Sequence, residues 1–142
     1  QPYPDYTAAR HYDNEGRVIV LRLGGGAVPK TAAVEIPPMP EPPPSGADAK
    51  TIAHGGDLYL KYCARCHTMG YGMLPDLRRL TAEKHAILPE IVLRGALKAR
   101  GMGQFDDVLN EDDVKALSAF FIAQAKVARS DEAKHALPAL AH

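Results

Sequence analysis

Cys63-Ala64-Arg65-Cys66-His67 is the segment of this chain whose residue types and spacing could do chemistry. Cys63 and Cys66 are the two cysteines of the chain, three positions apart, with a histidine directly after the second. Cysteines at i and i+3 lie on one helical face, where each can form a thioether to one vinyl group of a haem. The adjacent His67 is then placed to reach the iron from one side, and covalent attachment holds the cofactor through redox change and unfolding. A disulfide between the cysteines would leave His67 unexplained. A dithiol redox pair needs a βαβ context, which the sequence lacks. Two cysteines and one histidine also fall short of a four-ligand zinc site.

A sixth ligand has to come from the opposite side of the ring. Met39 lies among prolines, Met69 follows His67 too closely, and Met73 is only six residues on. Met102 lies in Arg100-Gly101-Met102-Gly103-Gln104-Phe105, where flanking glycines allow the backbone a close approach to a flat ring. A methionine ordinarily fills core space. The distance from His67 and the glycine-rich loop make Met102 the expected ligand instead, with His54, His85, His135 and His142 as alternatives.

These groups have to be positioned by helices. The first is expected from about Asp48 to Cys66, with Gly55, Tyr59 and Cys63 on one face. A second is expected over Pro89–Leu97, with proline at a tolerated early position. Asn110 is a good N-cap for a third, and Glu111, Asp112 and Asp113 suit its first turn. Val114, Leu117, Phe120 and Phe121 form its apolar stripe. Residues 17–23 read as a strand ended by Gly24–Gly26, with no convincing partner strand elsewhere. The proline-crowded run Ile36–Gly46 should be an extended, semi-rigid spacer. The expected organisation is an N-terminal arm over 1–35, a linker over 36–47, a helical domain over 48–129 and a tail over 130–142.

The 142 residues carry 17 basic and 17 acidic groups. That balance argues against a nucleic-acid binder. No apolar run approaches the roughly 20 residues of a membrane-spanning helix. The N-terminus lacks the layout of a secretory leader, so any leader is expected to have been removed or to lie outside the sequence. Residues 54–105 are locally basic, with eight basic against four acidic side chains. This is read mainly as balance for the acidic last helix and for a buried anionic ligand.

The quoted residues resemble those of a class I c-type cytochrome over roughly residues 50–127, which implies an all-α fold around one covalent haem c. In that family a glycine and an aromatic precede the attachment motif, and Gly55 and Tyr59 match. A Pro-x-Leu follows the histidine. Pro75-Asp76-Leu77 matches, which implies that the Pro75 carbonyl accepts a hydrogen bond from the other nitrogen of His67. The resemblance places Cys63, Cys66, Pro75 and Leu77 at the cofactor, with His67 and Met102 on iron. Gly103 stands where the family usually has proline. The last helix is expected to cross the first near glycine, with Leu117 and Phe120 against Gly55 and Tyr59. Arg78, Arg79 and Arg100 are candidates to pair with a propionate.

The sequence is also similar to the C-terminal end of type II quinohaemoprotein alcohol dehydrogenases. The run Asp13–Leu23, the glycine cluster, the proline spacer and the Val108–Val114 segment carry that likeness. It implies an electron-transfer module, not an enzyme on its own. The donor would be a dehydrogenase domain or subunit containing pyrroloquinoline quinone. The acceptor would be a soluble protein or the respiratory chain, and the location periplasmic. A haem enzyme or sensor with a labile sixth ligand and a free-standing shuttle cytochrome are the alternative readings.

Overall fold

A computed structural model describes residues 20, 22–27, 37–69 and 74–134. The chain divides into two units, Gln1–Pro37 and Pro38–His142. Within the first, Leu23 and Gly24 form a turn in which the Gly25 amide donates to the Arg22 carbonyl at 3.1 Å. Gly24 has φ +71, a left-handed conformation that glycine accepts without strain. Val20 and Leu23 are exposed. The strand expected over 17–23 thus gives way to a turn at Leu23, and no described residue is in a strand. Residues 17–19 and 21 lie outside the described residues.

The second unit is helical. Helix α1 spans Ala49–Leu58. The Asp48 carboxylate caps it by accepting the Thr51 amide at 2.7 Å. The expected single helix to Cys66 changes pitch. Tyr59–Cys63 is a π-helical segment, closed where the Ala64 amide donates to the Tyr59 carbonyl at 2.9 Å, and Ala64–Cys66 is a turn. Helix α2 covers Ala82–Ala86, a stretch with no apolar stripe to announce it. Helix α3 covers Leu88–Val92 with Pro89 in its first turn, and it buries Leu88, Ile91 and Val92. It stops short of the expected Leu97 because the chain turns at Gly95, where φ is +67. A Cβ on Gly95 would also lie 3.0 Å from the Gln104 side chain.

Helix α4 runs over Glu111–Lys134, past the expected end at 129. Residues 130–134 contain no helix breaker, and the next proline is Pro138. Asn110 caps the helix. Its side-chain oxygen accepts the Asp112 and Asp113 amides at 2.9 and 3.0 Å, and the Asp113 carboxylate returns to the Asn110 amide at 3.1 Å. This reciprocal bonding and the nearby His54 hold the Asp113 carboxyl below the usual carboxylate range, with the His54 hydrogen bond the larger cause. The largest fully buried side chains of the unit, Val114 and Leu117, are 1% exposed.

Helices α1 and α4 cross at Gly55 so closely that a Cβ there would lie 2.0 Å from the Ala116 carbonyl oxygen. Tyr59 packs one turn further on, with its ring 5.5 Å from Phe120 and 6.1 Å from Phe121. The expected crossing is therefore present, with the Ala116 backbone touching Gly55 and Leu117 sharing the Tyr59 cluster.

From residue 38 the proline run belongs to this unit and forms neither helix nor strand, as its composition requires. Met39 is nevertheless 5% exposed. Its amide donates to Glu132 at 3.0 Å, and its carbonyl accepts from Arg129 at 3.0 Å. Arg129 also pairs with Glu41 at 2.9 Å, and Arg79 donates to the Pro38 carbonyl at 3.0 Å. The segment Pro38–Glu41 is thus a strap fastened to the C-terminal part of α4 and to the short 3-10 turn Leu77–Arg79.

Candidate functional site

The π-helical segment delivers Cys63, and the following turn delivers Cys66 and His67. The Cys66 and His67 amides donate to the Cys63 carbonyl at 3.1 and 2.8 Å, which folds the motif into one compact loop. Cys63 is half-buried and Cys66 exposed, and no disulfide joins them. Burial, with a smaller contribution from neighbouring Cys66, pushes the Cys63 thiol up to about 11. No cluster of three or more His, Cys, Asp or Glu side chains able to hold a metal ion occurs among the described residues.

His67 Nδ1 lies 2.9 Å from the Pro75 carbonyl oxygen. A carbonyl only accepts, so Nδ1 is the donor and Nε2 is the nitrogen left available to a metal. The ring is therefore in the tautomer a metal ligand needs. Pro75 precedes the 3-10 turn Leu77–Arg79, which Asp76 caps by accepting the Arg78 amide at 3.0 Å. The Arg78 guanidinium grips the same carboxylate, Nη2 to Oδ2 at 2.7 Å. Leu77 and Leu80 are half-buried against the core cluster.

Met102 is half-buried on the same cluster. Its amide donates to the Leu97 carbonyl at 3.3 Å, and Gly101 before it is left-handed at φ +88. A Cβ on Gly103 would come within 3.0 Å of the Phe105 ring. The Phe105 amide in turn donates to the Val92 carbonyl at 2.9 Å, and its ring meets Tyr62 edge-on at 6.3 Å. The methionine loop and the attachment segment therefore share one apolar cluster. Cys63, Leu77, Leu80, Leu93, Met102 and Phe105 all remain only partly buried on it. Large apolar side chains left half-covered on the cluster that includes Cys63 suit a flat apolar group such as a porphyrin.

The other candidates are placed differently. His85 Nδ1 hydrogen-bonds Ser118 Oγ at 2.8 Å, and burial lowers its pKa. His54 pairs with Asp113 at 2.9 Å. His135, His142 and Met73 lie outside the described residues. Of the candidate propionate partners, Arg78 is committed to Asp76 and Arg79 to the Met39 strap, while Arg100 is exposed. The sequence reading did not foresee the Tyr59 hydroxyl, which donates to the His67 carbonyl at 2.7 Å. Its signal was available, because a buried tyrosine needs a partner that phenylalanine does not. Burial is the main reason its pKa is raised, which keeps the hydroxyl protonated as a donor.

Residues 50–121 match the family described as cytochrome c oxidase, cbb3-type, subunit III. A quinohemoprotein alcohol dehydrogenase, ADH IIB of Pseudomonas putida, is 33% identical over 117 residues, covering 78% of this chain and 17% of that protein. A 1-butanol dehydrogenase (cytochrome c) of Thauera butanivorans is 31% identical over 134 residues, covering 89% of this chain and 19% of that protein. The solved quinohemoprotein alcohol dehydrogenase ADHIIG of Pseudomonas putida HK5 superposes with a TM-score of 0.62 at 32% identity, covering 78% of this chain and 16% of its own. The chain thus spans under a fifth of the length of these relatives.

Proposed function

The chain belongs to the c-type cytochrome family that its residues 50–121 match, and its relatives carry the corresponding region as part of quinohaemoprotein alcohol dehydrogenases; on that premise we propose that it is a one-electron carrier serving such a dehydrogenase. The observation that carries the site assignment is the His67–Pro75 hydrogen bond, which leaves the Nε2 lone pair free beside two thiols. Cys63 and Cys66 would attach the haem, His67 Nε2 and the Met102 sulfur would hold its iron, and Pro75 and Leu77 would support it on the histidine side. When bound, haem c supplies an iron that takes up and releases one electron.

The residues of this chain do the rest. Pro75 keeps the Nδ1 proton in place and raises the basicity of His67 toward the metal. Met102 offers a thioether in place of a second imidazole, which favours the reduced state. Leu77, Leu80, Leu93 and Phe105 exclude water, and the α1–α4 crossing keeps the attachment loop in place as charge changes. His67 and Met102 would both hold the iron, which would supply electron transfer and leave substrate binding to the partner. The donor is a dehydrogenase domain or subunit containing pyrroloquinoline quinone, the acceptor a soluble protein or the respiratory chain, and the compartment the periplasm. The relatives' being a quinohemoprotein alcohol dehydrogenase and a 1-butanol dehydrogenase (cytochrome c) supports a dehydrogenase as the donor.

Absorption spectroscopy of haem-loaded protein and of Met102→Ala tests the assignment. The parent should show the weak long-wavelength band of methionine-ligated ferric haem and should not bind carbon monoxide when reduced. Met102→Ala should lose the band and bind carbon monoxide. A variant spectrum identical to the parent's refutes Met102. Carbon monoxide binding by the parent favours the enzyme or sensor reading.

A further inference from the structure

Tyr59 is 7% exposed, with its ring packed against Phe120 and Phe121. A phenylalanine would serve that packing equally well, so the hydroxyl needs its own reason. It donates to the His67 carbonyl at 2.7 Å, and the Met69 backbone also hydrogen-bonds to it. His67 is therefore held at three atoms. Its amide is held by the Cys63 carbonyl, its carbonyl by Tyr59, and its ring Nδ1 by the Pro75 carbonyl. The first of these bonds lies within the attachment loop, and the Pro75 bond comes from the loop that follows. Only Tyr59 reaches back to the α1–α4 core. The π-helical turn begins at this residue, and Gly55, one turn before it, sits against the Ala116 backbone. The hydroxyl is thus the polar link between the most tightly fitted crossing in the unit and the backbone of the histidine.

We propose that Tyr59 is a positioning residue for His67, its hydroxyl fixing the backbone of the iron ligand from the core side. The proposal rests on the reading of His67 as that ligand. Tyr59 touches neither iron nor porphyrin in this role. It limits how far the imidazole tilts and slides as the charge on the metal changes.

The test compares haem-loaded Tyr59→Phe, which removes the hydroxyl and keeps the ring, with Phe120→Leu, which loosens the ring packing and keeps the hydroxyl. Two quantities are read. One is hydrogen exchange at the Thr68 and Met69 amides relative to Leu117 and Phe121. The other is the position of the hyperfine-shifted His67 ring protons in the ferric NMR spectrum. Tyr59→Phe should speed exchange at Thr68 and Met69 about fivefold, as loss of one neutral hydrogen bond implies. It should displace the His67 resonances while leaving the α4 amides unchanged. Phe120→Leu should speed the α4 amides and leave the His67 resonances in place. The proposal is overturned if Tyr59→Phe leaves both the His67 resonances and the loop exchange at parental values. It is equally overturned if Phe120→Leu moves the His67 resonances as far. A parent chain that takes up no haem refutes the proposed function instead, and the exchange comparison then still decides whether the hydroxyl holds the loop.

Discussion

Replacing Gly55 by alanine puts the helix crossing to its most demanding test. The added Cβ would lie 2.0 Å from the Ala116 carbonyl oxygen, 2.5 Å from the Ala116 carbonyl carbon and 2.9 Å from Phe120 Cβ. Ordinary contact begins at 3.4 Å, so α1 and α4 have to separate by more than 1 Å at this point. The obstacle is backbone, so no rotamer change relieves it. Overpacking of a well-fitted core costs roughly 1–3 kcal/mol. A backbone collision belongs at or above the upper end, and the better helix propensity of alanine returns only about 1 kcal/mol. A net loss of about 2 kcal/mol or more lowers Tm by at least about 8–16 °C for a unit of this size. Gly56→Ala is the matched control. Its nearest neighbour is Phe120 Cε2 at 3.2 Å, the edge of a ring that can yield, so its Tm should stay within about 5 °C of the parent's. The assay is thermal unfolding of the haem-loaded protein followed by far-UV circular dichroism. A Gly55→Ala protein melting within about 4 °C of the parent would refute the claim that backbone contact at this residue sets the crossing.

Three further outcomes are expected. Met39→Ala should cost about 2 kcal/mol, because a buried methionine is emptied from the strap, and an unchanged melting temperature together with unchanged exchange at the Met39 amide would show the strap to be unimportant. His85 has a depressed pKa in the folded chain because of burial, so the unfolded chain takes the proton first; its contribution is therefore present above pH 6.5 and declines as pH falls below it, and the denaturation free energy of His85→Gln should fall less steeply with acid than the parent's. Asp113 is depressed by its hydrogen bonds to His54 and the Asn110 amide, so its contribution is present above about pH 4 and is lost as pH falls through the folded value; Asp113→Asn should flatten the acid limb, and an acid limb identical to the parent's would count against the cap.

The chemistry was legible in the sequence to the extent that it depended on adjacent residues. The Cys63–His67 motif and the glycine-flanked Met102 stand out by residue type and spacing, while Pro75 was pointed to by the resemblance to class I c-type cytochromes. The cap at Asn110 was readable from a local hydrogen-bonding rule, and the close crossing at Gly55 from the family resemblance. What was not readable depended on distant contacts. Nothing in Tyr59–Cys63 announces a π-turn or the bond from its first residue to the His67 carbonyl. The proline run read as a spacer by composition alone, and only the side chains of Arg79, Arg129 and Glu132 explain why Met39 is buried. Helix α2 has too few apolar residues to show a period. The end of α4 was obscured because residues 130–134 carry no stripe, although Glu132 anchors the strap.

The central claim is that two thioether bonds join one haem to this polypeptide next to an iron-binding histidine. Mass spectrometry of the intact protein, matured in a host that attaches haem to c-type cytochromes, tests it most directly. The account predicts a mass increase equal to one haem, retained after denaturation and confined on proteolysis to the peptide containing Cys63, Cys66 and His67. An unmodified mass with two free, alkylatable thiols under the same conditions would contradict it.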